Sequence, residues 1–201
     1  MNILVLADLE SKRFYDYYTP GRLDGFDLII SCGDLSREYL EFLVTMARCP
    51  LLYVHGNHDD AFDKDPPGGC ICIEDDIFVY RGVRFFGLGG SYRYKDSGEH
   101  MYTELQMRWR VWKCGFRIRK NKGFDVLVTH APAFGIGDSE HISHRGFKTF
   151  VHLMEKYRPK YLLHGHMHRN YGPGIPQVRS YQNTTVVNAF EYYQLNYQEQ
   201  T

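Results

Sequence analysis

The sequence predicts an α/β protein in which two mixed sheets stack with helices outside. Five short apolar runs recur along the chain with helical patterns between them, as expected of strands buried on both faces. Two further apolar runs meet across an Arg-Gly step and read as a hairpin of a second sheet. Each of the five runs also ends on a polar residue able to bind metal. In open α/β sheets, ligands collect beyond the carboxyl ends of the strands.

The elements follow in order. Residues 2–7 form the first run and end on Asp8, with Glu10 two places on. Residues 26–32 run into Gly33-Asp34. Ser36 is placed to cap a helix reaching about Arg48, with Leu40, Leu43, Val44 and Ala47 on one face. Pro50 keeps that helix out of the next strand, residues 51–54, which leads into His55-Gly56-Asn57-His58-Asp59. After a turn-rich connector, residues 77–80 and 83–86 make the hairpin. Residues 87–91, Gly-Leu-Gly-Gly-Ser, read as a strand exit needing positive φ rather than a phosphate cradle.

Thr103 and Gln106 form a capping box that opens a helix. Leu105, Trp109, Trp112 and Phe116 share one face of it, and Arg108, Arg110, Lys113, Arg117, Arg119, Lys120 and Lys122 are expected to form a solvated polar face. Residues 124–129 end on His130. Phe147, Phe150, Val151 and Met154 mark another amphipathic helix, stopped near Pro159. Residues 161–163 run into His164-Gly165-His166-Met167-His168. Residues 184–187 and a segment near Tyr192 supply the last strands.

The 201 residues fit one domain over 1–201, with a core able to fold alone. Lys plus Arg equals Asp plus Glu at 24 each, which argues against a nucleic-acid binder held by overall charge. No basic leader precedes the first strand, and no apolar stretch approaches the ~18–20 residues of a membrane helix. The expectation is a cytoplasmic protein with neither nucleic acid nor membrane as partner; the oligomeric state is open. Five cysteines (Cys32, Cys49, Cys70, Cys72, Cys114) without a C-x-x-C pair read as reduced thiols.

The candidate ligands are Asp8, Glu10, Asp34, Asn57, His130, His166 and His168. Oxygen and imidazole donors without thiolate suit Mn, Fe, Mg or a catalytic Zn, and do not suit a closed structural zinc site. His166 and His168, two apart in an extended segment, project the same way. Arg93, after the glycines, and His144, in the loop after His130, are candidates for substrate contact. His100 and His152 read as surface or helix-face residues.

Gly33-Asp34, Gly56-Asn57-His58-Asp59, Thr129-His130 and Gly165-His166-Met167-His168, in that order, resemble the calcineurin-like metallophosphoesterase superfamily, in a compact bacterial-type form. One such motif is weak evidence; four in order are specific. The resemblance spans residues 3–168 and implies a four-layer sandwich of two mixed β-sheets flanked by α-helices. It also implies two metal ions, manganese first and iron, zinc or magnesium as alternatives. Asp8, Asp34 and His168 would hold one ion, with residue 10 as a further ligand; Asp34, Asn57, His130 and His166 would hold the other. A metal-bridging hydroxide would attack a phosphate mono- or diester of a small molecule or nucleotide. His58 would steady the transferring group or protonate the leaving oxygen, with Asp59 orienting it.

The first motif departs from the family. Asp8-Leu9-Glu10 stands where Asp-x-His is usual. A Glu10 ligand lowers the charge of the centre by one and makes bound water less acidic. That change supports an alternative reading, a catalytically weak or inactive metal-binding scaffold for protein partners.

Overall fold

The computed structural model describes residues 1–168 and 176–198. Strands β1 (Asn2–Ala7), β2 (Leu28–Ser31), β3 (Leu51–Tyr53) and β4 (Ile71–Cys72) lie side by side, all parallel. Helix α1 (Arg37–Met46) connects β2 to β3. Ser36 caps α1 as its sequence suggests, its hydroxyl accepting from the Tyr39 N–H at 3.2 Å.

β5 (Ile77–Tyr80) and β6 (Val83–Leu88) form the expected hairpin at one edge of a second sheet. Arg81 and Gly82 turn it with φ of 48° and 79°, the left-handed pair that a tight hairpin requires. β7 (Ser91–Tyr92) and β8 (Met101–Tyr102) pair with each other in parallel. After α2 (Glu104–Lys113) and α3 (Gly115–Lys120), β9 (Val126–Thr129) joins β6 in parallel. α4 (Lys148–Tyr157) leads to β10 (Tyr161–His164), then β11 (Val178–Tyr181) and β12 (Thr184–Asn188). The second sheet runs β11-β12-β10-β9-β6-β5, with antiparallel strands at both edges. β13 (Glu191–Asn196) returns to the first sheet, antiparallel to β1.

The strand period of two sorts side chains into layers. Ile3, Val5, Leu28, Ile30 and Leu52 point from the first sheet into the same buried cluster as Phe85, Val126, Val128, Leu163 and Val187 from the second. Their neighbours Leu4, Leu6, Ile29 and Leu51 face the other way, onto Tyr39, Leu40 and Leu43 of α1. On the far side, Phe86, Leu127, Leu162 and Val186 pack against Met107, Ile118, Phe150 and Met154 of α2, α3 and α4. The result is the four-layer sandwich, helix on sheet on sheet on helix. Each fully buried Leu, Ile, Val or Phe contributes about 1.5–3 kcal/mol.

α2 and α3 differ from expectation. The capping box is present, with Thr103 Oγ1 accepting from Gln106 N–H and Gln106 Oε1 from Thr103 N–H. Arg110, expected on the solvated face, instead points inward with Met107, Cys114 and Ile118, while the row Leu105, Trp109, Trp112 and Phe116 faces solvent. Arg110 sets the rotation. Its guanidinium is buried against Glu74 and Asp75, donates to the Gly89 carbonyl at 2.9 Å and lies under the Tyr102 ring. A second difference is His100, which is buried and stacked parallel on His55, ring centroids 4.3 Å apart.

Candidate metal centre

Strand ends from both sheets build the centre. The first sheet delivers Asp8 after β1, Asp34 after β2 and Asn57 after β3. The second delivers His130 after β9, and His166 and His168 after β10. Tight backbone turns make these side chains converge. Asp8, Asp34 and His166 hold left-handed φ of 64°, 58° and 66°, a region where Asp is among the better tolerated residues. The loops also touch backbone to backbone. A Cβ on Gly33 would stand 2.4 Å from the Gly56 nitrogen, and one on Gly56 only 2.0 Å from Asp34 Oδ1. Gly165 lets the exit of β10 lie against Ala7, and the His166 N–H donates to both carboxylate oxygens of Asp8 (3.0 and 2.9 Å).

The tautomers follow from the partners, because a carbonyl oxygen only accepts. Nδ1–H of His130 donates to the Cys32 carbonyl at 2.8 Å, and Nε2–H of His166 donates to the Ser143 carbonyl at 2.5 Å. In the neutral rings, His130 Nε2 and His166 Nδ1 then present lone pairs to each other at 3.1 Å. Asn57 Oδ1 stands 3.1 Å and Asp34 Oδ2 3.4 Å from the same His130 nitrogen. Four electron-rich atoms facing one point repel unless a cation stands among them. Ligand atoms each about 2.1 Å from a shared ion are spaced in this way, so the residues fit a metal. A proton on His130 serves the same end. Burial opposes it, yet Asp34, then Asp8 and the Cys32 carbonyl, hold the His130 pKa at about 9. Burial and the neighbouring His130 push His166 to about 3. Asp34 is held below the usual carboxylate range: burial acts against this, and His130 and the His58 amide overcome it.

Beside this group, His168 Nε2 lies 3.7 Å from Asp8 Oδ1. Glu10 turns elsewhere: its carboxylate accepts from the hydroxyl of Ser36, the cap of α1. His58 stands exposed at the rim, and its backbone N–H donates to Asp34 Oδ1 at 2.8 Å. Asp59 was expected to orient the His58 ring. Its Oδ2 instead accepts from the Asp34 and Gly56 amides at 2.9 and 2.7 Å, clasping the two loops together. Burial and nearby Asp34 raise its pKa to about 6. The Arg93 guanidinium donates to the Met101 carbonyl and braces β7 against β8. The His144 ring lies 5.4 Å from that of His166, so its loop walls the centre.

Sequence reasoning missed two supports, the Cys32 and Ser143 carbonyls, because a backbone acceptor leaves no signature in residue type. An open cleft of about 490 Å3 adjoins the rim, walled by Asp34, Ser36, Arg37, His58 and Phe62. A larger one of about 830 Å3, walled by Arg84, Lys122 and Lys160, lies at the amino ends of β6, β9 and β10, opposite to the donors.

Comparison with known proteins agrees with this fold. A UPF0046 protein of Caenorhabditis elegans is 26% identical over 196 residues, covering 81% of this chain and 62% of its own length. The chain therefore spans less than two-thirds of that relative. TT1561 of Thermus thermophilus superposes with a TM-score of 0.60 at 15% identity, over 94% of this chain and 89% of its own. Another solved structure reaches 0.69 at 15% identity, over 96% and 94%. At such identities the likeness is one of fold. The sequence model of the calcineurin-like phosphoesterases matches residues 1–170, which carry every donor described above. The chain belongs to the calcineurin-like phosphoesterase family.

Proposed function

We propose that this protein is a dinuclear-metal phosphoesterase that hydrolyses a phosphate mono- or diester of a small molecule or nucleotide. The observation that carries the reading is the convergence of Asp34, Asn57, His130 and His166 on one point, with Asp8 and His168 alongside. Two divalent ions, manganese in our reading, would supply Lewis-acid stabilisation and a water made nucleophilic at neutral pH. The chain's own residues do the rest. Asp34 sits where it can serve both ions. Cys32 and Ser143 fix the tautomers of His130 and His166 so that each offers a lone pair. His58, exposed beside Asp34, holds a proton for the leaving oxygen, and the loop carrying His144 limits the depth of the substrate pocket. Glu10, whose carboxylate now accepts from Ser36, would be a further ligand of the ion held by Asp8, Asp34 and His168. We place this activity in the cytoplasm.

The test is hydrolysis of a generic aryl phosphodiester and monoester with Mn2+, before and after chelation. Turnover that disappears with the chelator and returns with the metal is expected. Stoichiometric Mn2+ binding with no turnover of either ester would favour the scaffold, a reading supported by the engagement of Glu10 with Ser36.

A further inference from the structure

We propose that the outer face of α2 and α3 is a docking surface for the headgroup layer of an anionic lipid bilayer. Leu105, Trp109, Trp112 and Phe116 are 73, 55, 76 and 78% exposed. Their spacing of four, three and four residues sets them in one row along the two helices. Large side chains standing this far out of a protein surface, side by side, mark a contact face.

The exposure is enforced from the other side of the helix. Rotating α2 to bury the row would pull Arg110 away from Glu74, Asp75, the Gly89 carbonyl and the Tyr102 ring. It would also take Met107 out of the core.

Charge decides what covers the row. Arg108, Lys113, Arg117, Arg119 and Lys120 flank it, all exposed, and Lys113 Nζ lies 3.3 Å from the Trp109 ring centroid. Glu104 is the one acid of the two helices, and it is turned away to bond the Lys148 and Thr149 amides at the start of α4. Exposed Lys148 and Lys156 of α4 extend the positive field. Trp, Phe and Leu on one face with Lys and Arg beside them is the pattern of a helix lying in a bilayer interface. There the apolar row enters the acyl boundary while the cations meet anionic headgroups.

A second copy docked by two-fold symmetry would bring these cations against their own equivalents. The expectation of no membrane partner rested on the lack of a spanning segment. Among the described residues no helix is long and apolar enough to span, and interfacial docking requires none.

The molecule supplies its own probe, since Trp109 and Trp112 are its two tryptophans. The experiment is sedimentation with phosphatidylcholine vesicles, with and without phosphatidylserine, read together with tryptophan emission. Binding to the anionic vesicles only, with a blue shift and release by salt, is expected. Trp112→Ser should weaken partitioning about tenfold. Lys113→Gln with Arg119→Gln should weaken it on the order of 30-fold. All three substitutions lie on the solvent side, so thermal unfolding and esterase turnover should stay at wild-type values. No binding to anionic vesicles at low salt overturns the proposal. So does a dimer in solution that Trp112→Ser dissolves, or retention of RNA that survives excess anionic vesicles.

Discussion

Arg110→Met isolates the buried charge network that fixes α2. In the wild type, burial alone would raise the Glu74 carboxyl, but His55 and Arg110 overcome this and hold it at about 2, against an ordinary 4.5. That difference corresponds to about 3 kcal/mol of stability. A depressed carboxyl contributes fully above pH 4.5, and its contribution fades as pH falls towards 2. Methionine keeps the apolar contact with Tyr102 and Met107 but removes the charge that answers Glu74 and Asp75. The loss at pH 7 should be roughly 3–5 kcal/mol, the usual cost of leaving a buried charge without its partner.

The pH dependence of the variant carries the diagnostic sign. Without the guanidinium only His55 is left to oppose burial and the Glu74 pKa rises from its wild-type position, so acid should weaken the variant less than it weakens the wild type. Urea unfolding at pH 7 and pH 4 should therefore show a gap that narrows in acid. Glu74→Gln in the variant background should recover part of the loss. A deficit below about 1 kcal/mol, or a gap independent of pH, would refute the reasoning.

Other outcomes follow from the centre. His58→Ala should lower kcat by roughly 10²–10⁴ with metal content unchanged. Wild-type turnover of a poor-leaving-group ester by that variant would remove His58 from proton transfer. Gly56→Ala puts a methyl 2.0 Å from Asp34 Oδ1, so the carboxylate must shift. Calorimetric Mn2+ affinity should fall about 10–100-fold, and an unchanged value would mean that the two loops can part without harm. Glu10→Gln should weaken one of two Mn2+ equivalents about tenfold and spare the other. Unaltered stoichiometry and affinity would leave Glu10 as the partner of Ser36 alone.

Much of this was legible in the sequence because strands buried on both faces announce themselves. The runs ending at Asp8, Asp34, His130 and His164 became β1, β2, β9 and β10, and the residues following them hold the donors. The capping roles of Ser36 and Thr103 were equally plain, since a cap depends on local spacing alone. In α2 the shared face of Leu105, Trp109, Trp112 and Phe116 was legible, but the burial of Arg110 was not, because periodicity shows that a helix has an apolar face and not whether that face is covered. Arg110, His100 and Glu74 lie 36 residues apart or less along the chain, yet only the folded loops bring them together, and burying an arginine runs against composition rules. Asp59 was read as a neighbour of His58 because the two are adjacent in sequence. Its carboxylate turned instead to amides that the other loop presents.

The left-handed turns at Asp8, Asp34 and His166 bear on how this chain can change over time. At each of these positions glycine would relax the backbone, yet it would also delete a donor. If these donors hold ions as proposed, robust folding and ion capture pull the same three codons in opposite directions. A descendant with no use for the ion could gain stability by surrendering these side chains one at a time. This chain has surrendered none of them.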